Sequence, residues 1–249
     1  MEHLDIITVI LSAIVVMIAY GVFGITGFGS SITALPFLVQ MFPLRVVVPI
    51  MSLLDLVCGL LVWGRNRGEF LRSEVLRMIP PMWIGMGLGV NLLVKAPERW
   101  LLMGLGVTIL AYAAWNLLAK PVLKPMSRWW SLPFSIIGGV YSALFGTGGP
   151  IYTIYLTRRI EDKSQLRTNI SIVILISGLT RLVLFSGFGL YSHINVQFLL
   201  VALVPYGVVG LFMGMKLSTK MTPARVMQMI WVVLIGGGIS LIGRAIFMG

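Results

Sequence analysis

Long apolar stretches dominate this sequence and dictate the environment in which it folds. They run at 5–23, 28–41, 46–64, 75–94, 99–118, 131–157, 168–187, 196–215 and 226–248. Most of them reach the length of about 20 residues that a helix needs to cross a bilayer core. Only 11% of the residues are charged, against roughly a quarter in soluble domains. The sequence therefore excludes a soluble globule and predicts an all-α, polytopic integral membrane protein. A transmembrane barrel would instead show short stretches of alternating polarity, which this sequence lacks.

Two glycine-rich breaks fall inside apolar sequence, at 24–31 and 146–150. Each break is either a kink in one long span or the tip of a hairpin, and the two alternatives distribute the basic loops differently. With kinks, one side of the membrane carries 8 Lys and Arg residues and the other carries 10. With hairpins, 14 of them lie on one side and 4 on the other. The second distribution agrees with the excess of positive charge in cytoplasmic loops. We therefore predict two hairpins, with both termini outside the cytoplasm.

The same count predicts two halves of opposite orientation, and the sequence shows an internal repeat. Residues 27–32 align with 146–151 at an offset of 119, and the same offset places Gly59 on Gly178. A slightly larger offset aligns Pro80, Gly85 and Gly89 with Pro205, Gly210 and Gly214. We predict a first membrane repeat at 1–119, a cytoplasmic linker at 120–130 and a second repeat at 131–249, each repeat containing a broken hairpin and three transmembrane helices. Inverted repeats with discontinuous helices are a recurring plan of secondary transporters.

In these residues the chain resembles the sulfite exporter TauE/SafE family, also called the toluene sulfonate uptake permease family. The resemblance covers essentially the whole chain and rests on its length, its two related halves and the glycine-rich segment near the start of each half. It implies movement of a small sulfur-containing anion, such as sulfite or an organosulfonate, across the bacterial inner membrane.

The glycine breaks are candidate anion sites, because the helix restarted after each break has unpaired N–H groups and the positive end of its dipole. Glycine permits close backbone approach, and nearby hydroxyls add hydrogen-bond donors. The alternative is that the glycines only permit tight helix packing. The candidate substrate-binding residues at the two tips are Gly27, Gly29, Ser30, Ser31, Gly146, Thr147, Gly148 and Gly149.

Two ionisable residues lie deep in apolar stretches, Asp55 and Arg181. From helix rise, Asp55 lies about 16 Å and Arg181 about 20 Å from the cytoplasmic boundary, so the two depths are compatible with a pair. Charges inside a membrane mark functional sites by default. Arg181 is therefore a candidate donor to the anion, and Asp55 a candidate ion-pair partner or coupling residue. A buried ion pair that only fixes helix register is the alternative.

The sequence contains little evidence for catalytic activity. His3, His193 and Cys58 have no neighbouring cluster of ligands or bases, so we predict no enzyme, no metal site and no cofactor. The lack of a phosphate-binding Gly-x-x-x-x-Gly-Lys-Ser/Thr motif argues against an ATP-driven pump. The net charge of +11 resides in the loops, so the expected partners are an anionic solute and membrane lipids, not nucleic acid. A second copy of the chain is a further candidate partner.

The sequence thus favours a secondary transporter of a small anion that works by alternating access. Two alternatives stay open. The first is a facilitative anion channel with the same fold, and the second is a non-transporting membrane scaffold or assembly factor.

Overall fold

The computed structural model describes residues 6–27, 29–63, 71–118, 125–192, 194–217 and 235–246. Within these ranges all regular structure is helical. The helices are α1 (Ile6–Thr26), α2 (Ser30–Met41), α3 (Leu44–Trp63), α4 (Arg72–Lys95), α5 (Glu98–Leu118), α6 (Ser131–Phe145), α7 (Gly148–Thr157), α8 (Lys163–Gly187), α9 (Ile194–Leu217) and α10 (Ile235–Ile246), with a 3-10 turn at Arg128–Trp130.

Five of these helices are long and apolar enough to cross a membrane: Ile6–Thr26, Leu44–Val62, Arg72–Lys95, Ser164–Gly187 and Val196–Leu217. Large apolar side chains cover much of their outer surface, as a lipid environment requires. The predicted all-α membrane architecture is confirmed.

The chain reverses direction at both glycine breaks. Ser12 Oγ in α1 lies 3.4 Å from Met41 Sδ in α2, although 29 residues separate them and a continuous helix would hold them about 44 Å apart. Likewise, Tyr152 in α7 packs on Gly138 in α6, positions that a continuous helix would hold about 21 Å apart. The breaks are therefore hairpin tips and not kinks. With 12 and 10 residues, α2 and α7 are about 18 Å and 15 Å long, too short to span a core of about 30 Å.

The two tips use the same turn chemistry. Gly27 ends α1 with φ 82°, and Gly146 ends α6 with φ 67°, a left-handed conformation that glycine adopts without steric cost. The Gly27 N–H donates to the Phe23 carbonyl at 2.7 Å, and the Gly146 N–H donates to the Ser142 carbonyl at 2.9 Å. Such bonds satisfy carbonyl groups that the helix end leaves free. The donors and the acceptors are each 119 positions apart in the sequence.

The helices form two compact units. Unit 1 comprises Met1–Ile50, Ala96–Ala119 and Tyr191–Gly249, and unit 2 comprises Met51–Lys95 and Lys120–Leu190. Each unit contains one hairpin, α1–α2 in unit 1 and α6–α7 in unit 2. Each also contains helices from both halves of the sequence. The two units are defined by helix packing, whereas the predicted halves at 1–119 and 131–249 are defined by the repeat in the sequence. The two halves therefore stay a prediction.

Paired glycines create a close helix crossing in each unit. In unit 2, a Cβ on Gly85 of α4 would overlap the backbone of Ile136 in α6. In unit 1, a Cβ on Gly210 of α9 would overlap the backbone of Met17 in α1. The next glycine along each helix, four residues on, makes a second contact of the same kind: Gly89 with Val140, and Gly214 with Gly21. Small residues let helix backbones approach this closely in membranes.

Candidate functional site

Arg181 and Asp55 form an ion pair inside unit 2. Arg181 lies on α8 and is 2% exposed, and Asp55 lies on α3 and is 7% exposed. Arg181 Nη2 donates to Asp55 Oδ2 at 3.4 Å. The structure thus brings together the two deep charges that the sequence singled out. Burial of both groups away from water makes their interaction strong and makes the loss of either partner costly.

Asp55 does not satisfy the whole guanidinium group of Arg181. In the part of the chain that the structure describes, Arg181 Nε and Nη1 are buried and have no hydrogen-bond acceptor. Buried polar groups are almost always paired, and leaving a charged donor unpaired costs more than leaving a neutral one. Two nitrogens of a buried cation are therefore available to an acceptor that the described residues do not provide.

Three hydroxyl groups lie close to this cation. Ser177 precedes Arg181 by one turn of α8, which places both on one helix face. Its Oγ lies 2.7 Å from Ser142 Oγ on α6. The hydroxyl of Tyr152, on α7, is fully buried beside both serines and within electrostatic range of Arg181. We call Asp55, Ser142, Tyr152, Ser177 and Arg181 the polar cluster.

The second glycine tip adjoins the polar cluster. A Cβ on Gly148 would lie 2.7 Å from Ser142 Cβ and 2.6 Å from the Gly138 carbonyl oxygen. Thr147, the residue that precedes α7, is buried, and its Oγ1 has no partner among the described residues. Helix geometry leaves the Gly148 and Gly149 N–H groups without intrahelical acceptors, and the positive end of the α7 dipole lies there. Tip and cation thus belong to one polar region of unit 2.

Comparison with known proteins agrees with this architecture. The sulfite exporter TauE/SafE family matches residues 12–241. This chain belongs to the TauE/SafE family. It is also 23% identical over 191 residues to the "Probable inner membrane transporter protein TsaS" of Comamonas testosteroni, an alignment that covers 76% of this chain and 80% of the relative. No solved structure matches. The family and the relative together indicate a membrane transporter of the TauE/SafE type.

In this TauE/SafE chain, the first tip belongs to unit 1. Gly29 precedes α2 with φ 92°, and its carbonyl accepts from both the N–H and the hydroxyl of Thr33. Ser30 and Ser31 are buried in the first turn of α2. Phe28 lies outside the described residues. A helix therefore restarts at the first tip as predicted, and the role of its residues in binding stays a prediction.

The structure favours a packing role for Gly148, because any larger side chain there would overlap the Gly138 carbonyl. For this residue the alternative interpretation, tight helix packing, accounts for the requirement for glycine. Gly146 is required by its left-handed conformation. The groups at this tip that are suited to an anion are therefore the backbone N–H groups and Thr147, and not space left by glycine.

Sequence reasoning missed Ser142, Tyr152 and Ser177. A serine or tyrosine in an apolar helix has no distinctive pattern, and the three lie on three different helices. One signal was available for Ser177, which is four residues before Arg181 and so shares its helix face. None pointed to Ser142 or to Tyr152.

Proposed function

We propose that this TauE/SafE protein is a secondary transporter that moves a small oxyanion of the sulfite or sulfonate class across the inner membrane by alternating access. The observation that carries the proposal is the buried Arg181 guanidinium, with two nitrogens that lack an acceptor in the described chain. The family description supports sulfite, and the name of the relative supports transport at an inner membrane. An intramembrane cation with unused donors, next to hydroxyls and a helix start, is suited to an oxyanion.

In this proposal each group of the polar cluster has a distinct role. Arg181 donates to two oxygens of the anion along one edge of its planar guanidinium, through Nε or Nη1 together with the Nη2 N–H that does not face Asp55. Tyr152, Thr147 and the α7 N–H groups donate to the remaining oxygens. Asp55 holds the guanidinium in place and offsets its charge when the anion is absent, which limits the cost of a buried cation. The Asp55 carboxylate, whose Oδ2 lies 3.4 Å from Arg181 Nη2, also weakens anion binding enough for the anion to be released.

Alternating access follows in this proposal from an inverted repeat. The glycine crossing supports it, because Gly85 on Ile136 in unit 2 and Gly210 on Met17 in unit 1 are contacts between corresponding positions. By the same repeat, the first tip is proposed as a second helix start suited to an anion. Its proposed contact residues are Gly27, Gly29, Ser30 and Ser31.

Flux measurements in proteoliposomes test the proposal. We expect saturable uptake and counter-exchange for one anion in a panel of sulfite, thiosulfate, sulfate, organosulfonates and chloride. An imposed pH gradient will show whether protons are coupled. Flux that neither saturates nor shows counter-exchange would indicate the channel instead. Absence of flux for the whole panel from folded, reconstituted protein would contradict transport of these anions.

The proposed membrane topology can be tested separately. Both termini are proposed to lie outside the cytoplasm, because 14 of the loop Lys and Arg residues then share the cytoplasmic side. A tag after Gly249 should react with an impermeant label in intact spheroplasts, and a tag within 120–124 should react only after lysis. Labelling in the reverse order would show that the orientation is inverted.

A further inference from the structure

A second charged cluster lies in unit 2, around Glu74 in the first turn of α4. Glu74 Oε1 accepts from Arg159 Nη2 at 2.8 Å, and Glu74 Oε2 accepts from the Tyr155 hydroxyl at 2.8 Å. Arg159 also donates to the Met126 carbonyl at 3.2 Å. The hydrogen bond to Glu74 is the main reason that the pKa of Arg159 is raised, so this guanidinium stays charged. One arginine and one tyrosine therefore already satisfy the buried carboxylate.

Two further arginines approach the same carboxylate oxygen. Arg77 Nη1 lies 3.7 Å and Arg128 Nε lies 4.0 Å from Glu74 Oε1. Both side chains reach the surface, with exposed fractions of 38% and 69%. Because Arg159 balances the charge of Glu74, Arg77 and Arg128 leave a local surplus of two positive charges. One carboxylate does not offset three guanidinium charges, so a further anion beside Arg77 and Arg128 would reduce their repulsion.

The spacing of these two arginines suits one oxyanion. Since both nitrogens lie within 4.0 Å of one oxygen, Arg77 Nη1 and Arg128 Nε are less than 8 Å apart. Charge-assisted N–H to oxygen bonds are about 2.8 Å long, so a tetrahedral oxyanion that accepts from both groups can bridge such a gap. Glu74 holds the two guanidinium groups near each other, and both arginine side chains stay partly exposed.

The neighbouring side chains indicate where that oxyanion comes from. Trp129 and Trp130 directly follow Arg128 and are 83% and 51% exposed, and Leu132 is 50% exposed. Exposed tryptophans beside an apolar helix are typical of the membrane-water interface, where their rings lie at headgroup level. The positive loops of this face are the predicted cytoplasmic ones, where anionic lipids attract basic side chains. A phosphate attached to acyl chains fits these surroundings better than a soluble anion does.

We propose that Arg77 and Arg128 bind the headgroup phosphate of an anionic phospholipid at the cytoplasmic end of α4, with Trp129 and Trp130 in the adjoining interface. Glu74 and Arg159 position the two arginines and do not touch the lipid. The site connects α4, the segment before α6 and the end of α7 through Tyr155. It is independent of the proposed transport, because none of these residues belongs to the polar cluster.

Lipid titration of the purified full-length protein tests this site. Thermal unfolding and native mass spectrometry would be measured with phosphatidylglycerol, with phosphatidylcholine and with inorganic phosphate. The test variant is R77Q/R128Q. The matched control is R72Q/R167Q, which removes two exposed arginines from the same predicted face without touching Glu74 in the described chain. At about 1 kcal/mol per basic side chain near the surface, we expect R77Q/R128Q to bind phosphatidylglycerol about 30-fold more weakly than wild type.

Each outcome of this titration either supports or overturns the proposed lipid site. Preferential binding of phosphatidylglycerol by wild type and by R72Q/R167Q, but not by R77Q/R128Q, would support the site. An equal loss of phosphatidylglycerol binding in R77Q/R128Q and in R72Q/R167Q would show that only the overall surface charge matters. This result would overturn the proposed site. Protection by inorganic phosphate through Arg77 and Arg128, with none added by phosphatidylglycerol, would assign the pair to a soluble oxyanion and would overturn the lipid assignment. Unfolding temperatures without lipid establish that each variant is folded.

Discussion

Replacing Arg181 with glutamine is expected to abolish anion transport, and neutralising Asp55 in the same chain is expected to restore folding without restoring transport. R181Q leaves the Asp55 carboxylate buried without its partner, and breaking a buried ion pair in this way costs about 3–5 kcal/mol. The double variant D55N/R181Q removes both charges and thus most of that penalty. Neither variant keeps the cation that Nε and Nη1 of Arg181 present to an anion. Loss of a buried charged donor weakens anion binding by about 2–5 kcal/mol, at least 30-fold.

The comparison separates substrate binding from a structural ion pair. Protein yield, monodispersity and unfolding temperature measure folding, and proteoliposome flux measures transport. R167Q is a suitable control, because it removes an exposed arginine near the start of the same helix, α8. Transport by D55N/R181Q at the wild-type rate would show that the pair only fixes helix register, and the anion site at Arg181 would have to be abandoned.

Gly85→Val is expected to destabilise unit 2 strongly, whereas Gly87→Val, two residues along the same helix, is expected to be close to neutral. A Cβ on Gly85 would overlap the carbonyl and Cα of Ile136, which are backbone atoms that cannot rotate away. Gly87 has no described atom within 4 Å of its Cβ position. Overpacking of a tight contact costs about 1–3 kcal/mol, and a collision with backbone belongs at the upper end of that range or above it. The intrinsic cost of valine in a helix is the same in both variants and cancels.

Thermal unfolding in detergent, with both variants at equal concentration, measures this difference. Gly210→Val provides the corresponding test in unit 1, where the backbone of Met17 occupies the equivalent position. We expect Gly85→Val and Gly210→Val to lower the unfolding temperature by similar amounts. Equal stability of Gly85→Val and Gly87→Val would mean that α4 and α6 do not cross at Gly85.

The two hairpins illustrate how far sequence reasoning reaches in a membrane protein. The choice between kink and hairpin followed from counting basic residues, and the reversals at Gly27 and Gly146 agree with it. That count works because the cost of translocating Lys and Arg acts on each loop separately and needs no tertiary contact. The close helix crossings at glycine can also be inferred from the sequence, because small residues at a regular spacing on one helix indicate a close approach of a second helix.

The sequence by itself determined the membrane environment, the helical class, the two breaks and the two deep charges, because each of these depends on local composition or on spacing along one segment. Only the tertiary structure decided which glycine of Gly85, Gly87 and Gly89 faces away from a neighbour. In lipid, both the buried and the exposed face of a helix are apolar, so hydrophobic periodicity does not set its rotation. The structure also decided that Ser142 and Ser177 meet beside Arg181, and that three arginines surround Glu74. These groups come from separate helices, and their chemistry arises only when folding brings them within hydrogen-bond distance.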